Sequence, residues 1–529
     1  MSLDTSFYYR LTNKFQGPGQ SLDVHSDGSR RLKMAPTADF SGQHWRLIDL
    51  GSGKYALRTQ YLGECFSLDV INDGANDKPW LNTTGNFTGQ SWSLTQWADK
   101  SFKLSNDFTG SGKSLNVRAQ SFEPFVGEGD FSGQHWVLTQ LKKIFTGAIP
   151  QFGEMARDNA QDEGPTNYAI FTRPQGTVRA VMLFVDFPDA PAGSQTPQQA
   201  ADQILGREKF LPSFGKRYAA VRLFNEESYG KLTLDVDVKS DLGWKRMPIN
   251  SSGYSLEVGD SQRHYITHAA KLFTHLFSPL INFGAYNFVY IVPPSGAAPE
   301  KSPAFNQAPG DGVATLTGEI RFAVTFGQDA YSNRFITLVH ETGHLFGLPD
   351  LYFDTQPPET SEVGCWDIMS DTFRSMGFFG WHRHKFGWLD PSRKLYIPQS
   401  TTGWHVTLSP LSGGCGVSMI VLPIDDPAKP SKVFVVELSQ PIMGWKTNRP
   451  GGEGGVLLYT VDAKIKSLFS PVVVLRDFDH KTSEFGRLYD VPFGVGQSRS
   501  YKVDGATLTV KVDQKIGDCY NLTMSYGRH

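Results

Sequence analysis

Four cysteines in 529 residues are too few for a disulfide framework. Cys65 and Cys365 fall in separate segments, whereas Cys415 and Cys519 share one C-terminal region, which leaves a pairing between those two open. Long apolar runs are also missing. The longest, at 181–185 and 288–292, fall far short of the roughly 20 residues that span a bilayer, which excludes a transmembrane helix. Charge of one sign is nowhere massed: 51 basic residues face 53 acidic ones for a net charge of −2, so neither nucleic acid nor an anionic membrane is the expected partner. The opening Met-Ser-Leu-Asp-Thr-Ser-Phe has neither the basic start nor the apolar centre of a signal peptide. The expectation is a soluble protein, cytoplasmic or exported by a route that uses no signal peptide. What is plentiful is glycine (53) and proline (31) within a 39% hydrophobic, 20% charged composition, which reads as globular, turn-rich and weighted toward β structure. The length exceeds one hydrophobic core and predicts several domains.

The first third repeats itself. Gly42-Gln-His-Trp45, Gly89-Gln-Ser-Trp92 and Gly133-Gln-His-Trp136 place tryptophans 47 and 44 residues apart. Each follows a matching strand: Gln20-Ser-Leu-Asp-Val24, Phe66-Ser-Leu-Asp-Val70 and Lys113-Ser-Leu-Asn-Val117. Three strand-rich units at one period predict a pseudo-threefold all-β module. The pattern resembles the ricin B-type β-trefoil lectins over about residues 5 to 142. The resemblance implies a structural role for the Gln and Trp, and sugar binding by an Asp, an aromatic platform and an Asn just before the Gln. Asp23, Asp69 and Asn116 match the Asp position, making them the candidate sugar-binding residues. Gly42, Gly89 and Gly133 stand where the Asn would be, and Met34, Leu81 and Phe125 stand at the platform position, with Trp80 adjacent. Carbohydrate on glycoproteins or glycolipids and a purely structural or protein-docking trefoil are therefore both open readings.

From a linker near 142–150 the pattern changes to a buried strand at 176–189, helical stretches over 200–229, a strand at 231–236, a helix near 262–276 and a buried strand at 288–292. Alternating strands and helices predict an α/β sheet. Within Phe335-Ile-Thr-Leu-Val-His-Glu-Thr-Gly-His-Leu-Phe-Gly-Leu-Pro-Asp350, apolar residues recur at helical spacing. His340 and His344, four apart, leave one helix face and can bind one ion. Glu341 follows the first ligand, where its carboxylate serves as general base toward an activated water. Gly347 lets the helix stop, Pro349 forbids its continuation, and Asp350 returns as third ligand. Three protein ligands leave a fourth position open, as catalytic zinc requires. Glu359 and Glu362 are the next ligand candidates.

Downstream, Gly364-Cys-Trp-Asp-Ile-Met-Ser370 looks like the Met-turn of the metzincin clan, with Met369 as its methionine. Together with 185–189, 228–232, 347–352 and 386–389, these motifs resemble the immune inhibitor A family of zinc peptidases over about residues 150 to 465. The resemblance implies a zinc endopeptidase acting on protein or peptide substrates. Two departures stand out: the usual third histidine is replaced by Asp350, as in snapalysin-like enzymes, and no tyrosine follows Met369 closely, leaving Tyr352 as a weak candidate donor. His264 and His268 lack a following carboxylate and read as an ordinary helix face; His382 and His384 read as packing, and Cys365 as a buried loop thiol.

Beyond residue 395, short strands at 404–408, 417–422, 432–438, 455–461 and 506–512 separated by turns predict an antiparallel β-sandwich. Calcium at Asp73, Asp77 or the C-terminal aspartates is an alternative to plain loop solvation. The expected architecture is multidomain: an all-β trefoil at 1–142, an α/β metzincin-like zinc peptidase domain at 150–394 and a sandwich at 395–529. The expected function is a zinc endopeptidase carrying a lectin-like module. Its rival is a glycan- or protein-binding lectin whose peptidase domain is inactive or only self-processing. A glycan hydrolase would need a carboxylate pair that the sequence does not reveal.

Overall fold

In the computed structural model, the described residues are all except 1–2, 145–147, 154, 156–160, 208–217, 255–259, 275–278, 354–360, 373–376, 414–415, 440–453, 477–487, 489–490 and 529. The chain is mostly β with few helices. Among the described residues no helix is long and apolar enough to cross a membrane.

The repeats build a β-trefoil. Strands Phe7–Asn13, Trp45–Gly51, Lys54–Thr59, Trp92–Gln96, Phe102–Asn106 and Trp136–Lys143 close a barrel, and three hairpins complete it: Gln20–Val24 with Leu32–Pro36, Phe66–Val70 with Pro79–Thr83, and Lys113–Val117 with Pro124–Glu128. The repeated Trp and Gln explain the symmetry. Trp45, Trp92 and Trp136 are fully buried, and their indole N–H groups donate to the carbonyls of Leu22, Leu68 and Leu115 at 3.0, 2.8 and 2.8 Å. Gln43 and Gln90 each donate to a hairpin carbonyl, of Pro36 and Thr83, and to the carboxylate of Asp23 or Asp69. In the third repeat, where Asn116 replaces the aspartate, Gln134 donates to Ser114 Oγ instead.

The middle segment holds a mixed sheet in the order Leu232–Val238, Gly176–Asp186, Phe288–Val292, Phe322–Thr325, Ala304–Asn306, parallel except for the last pair. Both faces are covered. Along the central strand, Ala180, Met182 and Phe184 enter one core with helices Pro197–Ile204, Ala219–Glu227 and Phe335–Leu345, while Val181, Leu183 and Val185 enter another with helix Asp260–Phe273. The helical stretches expected over 200–229 are the two described helices Pro197–Ile204 and Ala219–Glu227.

The C-terminal segment forms a five-stranded sheet packed on a four-stranded one. One correction concerns its strand directions. Lys394–Tyr396 runs parallel to Met419–Pro423, so the sandwich is not wholly antiparallel. Strands Val472–Val474, Ser498–Val503 and Cys519–Arg528 also went unread in the sequence. The five-stranded sheet is buried on both faces: Val433, Val435, Leu457 and Tyr459 join the core of the middle segment, whereas Phe434, Val436, Val456 and Leu458 face the second sheet. One buried cluster thus runs from Phe152 to Val491. Cys519 is free, so it does not pair with Cys415, which lies outside the described residues; Cys65 is disulfide-bonded.

Deleting a fully buried indole from the trefoil costs both packing and a hydrogen bond. Trp92→Ala should lower stability by about 3–5 kcal/mol, read as a drop in the denaturant midpoint of the trefoil transition; an unchanged midpoint would mean that the repeat tryptophans do not hold the barrel.

Candidate metal centre and its surroundings

Helix Phe335–Leu345 is almost entirely buried. Thr342 Oγ1 meets the hydroxyl of Tyr290 at 2.8 Å, tying the helix to the sheet. Gly343 has a packing reason: a Cβ there would lie 2.7 Å from Met369 Sδ, so only glycine admits the sulfur beneath the helix. Gly347, at φ 94°, caps the helix, and Leu348 N–H donates back to Gly343 O at 3.0 Å. That reversal returns the chain toward the histidines.

The structure brings together His340, His344 and Asp350. Asp350 Oδ1 lies 3.2 Å from each histidine Nε2, and the two Nε2 atoms are 3.2 Å apart. At the opposite ring edges, His340 Nδ1 donates to Ile368 O (2.9 Å) and His344 Nδ1 to Leu348 O (2.8 Å). A carbonyl only accepts, so each Nδ1 carries a proton and each neutral ring turns its Nε2 lone pair inward. Asp350 Oδ1 is buried and accepts no well-aligned hydrogen bond. Three lone-pair donors thus converge on one point. Metal–ligand bonds of about 2.0–2.1 Å in tetrahedral array put ligand atoms roughly 3.3 Å apart, so the donor set and its spacing fit zinc. Among the described residues this is the one cluster of three or more such groups with metal-binding spacing.

Burial works against charge on both imidazoles, but Asp350 outweighs it and both pKa values rise. Asp350 is likewise penalised by burial, yet His344 and His340 hold it well below the usual carboxylate range. Glu341 behaves oppositely: burial, with Asp329 and Asp350 nearby, pushes it well above the ordinary value despite His340. Its Oε1 stands 3.9 Å from His340 Nε2, beyond ligand contact. Tyr352 lays its ring nearly parallel to that of His340, with centroids 6.4 Å apart. Glu362 pairs with Arg476 at 3.3 Å and is not in the cluster; Glu359 lies outside the described residues.

Behind Met369 lies a charge network that sequence reading missed. Asp367 Oδ1 accepts from Met369 N–H at 2.8 Å, and Oδ2 accepts from Phe379 N–H at 2.7 Å and lies 2.8 Å from His382 Nδ1. His382 Nε2 reaches Glu163 at 3.0 Å, and Trp381 Nε1 donates to the same carboxylate. His382 is packed as expected, with its ring fully buried, and it also lies between two carboxylates. Burial disfavours its charge, but Asp367 and Glu163 outweigh that and raise its pKa to about 9. Glu163, penalised by burial, is lowered to about 2 by Lys385 and His382. His384, whose charge burial and Lys394 oppose, falls to about 3. No local pattern could have found this network, because Glu163 and His382 are over two hundred residues apart. His264 and His268 lie together on one helix face with their rings tilted at 55°, and His268 Nδ1 is against Tyr254 OH at 2.7 Å.

In the trefoil, Asp23, Asp69 and Asn116 are buried, and each side-chain Oδ1 accepts its neighbour's backbone N–H at 2.7, 2.8 and 2.8 Å. Gly42, Gly89 and Gly133 are where they must be: a Cβ would fall 2.1, 1.9 and 2.3 Å from those same oxygens. The expected platform is corrected at Leu81, which is buried in the trefoil core. The exposed rings that recur in every repeat are instead Phe40, Phe87 and Phe131, 58%, 54% and 61% accessible, each three residues before the repeat Gln. Asp73 pairs with Lys78 and Asp77 with Arg118, and Asp425 accepts from the backbone of Ser431 and Lys432, so these carboxylates fasten loops.

No protein-family model matches the chain, and no curated protein matches it. Among solved structures, the designed threefold-symmetric protein ThreeFoil is 28% identical over 26% of this chain and 100% of its own, with a TM-score of 0.23. The BEL β-trefoil is 17% identical over 27% of this chain and 97% of its own, and a Polyporus squamosus lectin 17% over 28% and 52%, each with a TM-score of 0.23. At such scores the trefoil assignment stands on the strand pairing described above.

The His382 network makes a pH prediction. A histidine raised from about 6.5 to about 9 contributes stability that is complete below pH 6.5 and is lost as pH rises through 9. The parent's urea midpoint should fall over that window more steeply than that of Glu163→Gln, which itself should be about 3–5 kcal/mol less stable at pH 6. Parallel pH profiles would show that the pair is not ionised.

Proposed function

We propose that the chain is a zinc-dependent endopeptidase carrying a carbohydrate-binding β-trefoil, with the trefoil at 1–142, the metallopeptidase domain at 150–394 and an accessory sandwich at 395–529. The observation that carries the peptidase reading is the convergence of His340 Nε2, His344 Nε2 and Asp350 Oδ1 at 3.2 Å beside a buried carboxylate, Glu341, that is not itself a ligand. These three residues would hold the metal, and Met369 would pack beneath it through Gly343.

Zinc bound there supplies Lewis acidity, polarising the scissile carbonyl and acidifying water. Glu341 does the proton work. Its buried carboxylate, close to the cluster but outside ligand contact, suits a group that accepts a proton from the attacking water and returns it to the leaving amine as the C–N bond breaks. Ala304 N–H, on the strand that ends the sheet, donates to the Glu341 carboxylate. That strand runs antiparallel to its neighbour and lies against the helix, so an extended peptide added along it would pass the catalytic carboxylate. Among residues near the cluster, Tyr352 stays the candidate for steadying the developing oxyanion. Carbohydrate binding by the trefoil is supported by the exposed rings of Phe40, Phe87 and Phe131, which recur at the same place in each repeat.

Two variants separate proton transfer from metal binding. Glu341→Gln should keep about one zinc per chain and an unchanged melting temperature while casein hydrolysis drops at least about 100-fold. Asp350→Ala should lose zinc occupancy and activity together. Parent-rate digestion by Glu341→Gln would overturn the mechanism, and full zinc retention by Asp350→Ala would move the third ligand elsewhere. A parent protein that binds zinc but digests nothing would favour the lectin with an inactive peptidase domain.

A further inference from the structure

The first trefoil repeat does not face open solvent as an isolated lectin site would. A cavity of about 670 Å³ lies between it and the C-terminal four-stranded sheet, within the size range of small-ligand sites. One wall is the hairpin and turn carrying Asp23, Lys33 and Phe40; the other is made by His405, Lys511, Asp513, Asn521 and Thr523. The two walls are held together by backbone and side-chain bonds at one edge. Gln60 Nε2 donates to His405 O, and Thr407 Oγ1 donates to Tyr61 O at 2.6 Å.

The cavity has an unmet polar group. Tyr61 lines it with 6% of its surface accessible, and its hydroxyl, buried, has no hydrogen-bond partner. Burial pushes that phenol up to about 12, so it stays a neutral donor. A buried hydroxyl without a partner is unfavourable, and a ligand hydroxyl reaching it would relieve that.

The charges lining the space decide what kind of ligand fits. Lys511 Nζ is matched by Asp513 at 2.9 Å, and Asp513 also accepts from Thr523 Oγ1, which meets His405 Nδ1 at 3.0 Å. On the trefoil wall, Lys33 is accompanied by the carboxylates of Asp23 and Asp39. No ammonium is in excess, so a phosphate, sulfate or sialic acid would meet more negative than positive charge. A neutral ligand with many hydroxyls meets alternating donors and acceptors, and the exposed ring of Phe40 offers a flat apolar face to sugar C–H groups. The trefoil wall alone lacks the lectin Asn, since Gly42 fills that place against Asp23.

We propose that this cavity is a two-walled site for a neutral oligosaccharide, in which the C-terminal sheet supplies, through Lys511, Asn521 and Thr523, the polar contacts that the trefoil repeat has lost. It rests on the reading of the trefoil as a carbohydrate-binding module and adds the second wall. Binding therefore depends on both ends of the chain.

The test is calorimetric titration of the full chain with lactose, maltose and N,N′-diacetylchitobiose, with 6′-sialyllactose as the anionic probe. At least one neutral disaccharide should bind. Phe40→Ala and Lys511→Ala, both at exposed side chains, should each weaken it about tenfold or more. Tyr61→Phe removes a hydroxyl that no protein group satisfies, so it should weaken the sugar without lowering the melting temperature. Binding kept at parent affinity in Lys511→Ala would leave the lectin reading standing and overturn the two-walled site. Binding confined to 6′-sialyllactose would overturn the neutral-ligand assignment, and no binding by any probe would overturn the lectin reading and the site together.

Discussion

Two imidazole lone pairs and a carboxylate oxygen held 3.2 Å apart in a buried space repel one another, and the surrounding structure has to impose that approach. It does so with two hydrogen bonds. His340 Nδ1 is tied to Ile368 O and His344 Nδ1 to Leu348 O, which fixes both tautomers and binds the helix to the loop on each side of it. Leu351 N–H then donates to Met369 O at 3.0 Å, joining the two loops. Helix, reversal and Met369 loop are thus one unit, and displacing any of them turns a lone pair away from the common point.

That unit leans on the far end of the chain. Asp350 N–H donates to Ser467 Oγ at 2.9 Å, and Leu468 N–H donates to Asp350 O at 3.3 Å. Ser467 follows a strand, Gly455–Asp462, whose residues alternate between the core shared with the middle segment and the core of the sandwich. Glu437, raised to about 7 chiefly by burial, accepts from Gly380 N–H and Tyr459 OH and bridges the same junction. The C-terminal sheets are thus the floor against which Asp350 is placed.

The trefoil follows a different logic. Its repeated polar residues are used internally: in the first two repeats the Gln and Asp satisfy each other and the hairpin backbone, and a glycine closes over them. What each repeat offers outward is a phenylalanine. In the first repeat the C-terminal sheet stands opposite that ring across the cavity.

Local order in the sequence carried the trefoil, because one strand-and-Trp unit recurs in register and each copy packs the same way. It also carried the helix with His340, Glu341 and His344, since a period of four is enough to put two side chains on one face, and the reversal to Asp350, since Gly347 and Pro349 constrain the backbone directly. Tertiary structure alone decided the rest. The burial of strands 432–439 and 455–462 on both faces was invisible, because an apolar run reads the same whichever core receives it. The Glu163–His382–Asp367 network and the Ser467 brace were invisible for a simpler reason: electrostatics and hydrogen bonds act through space, and these partners are separated by too much chain for any spacing rule to connect them.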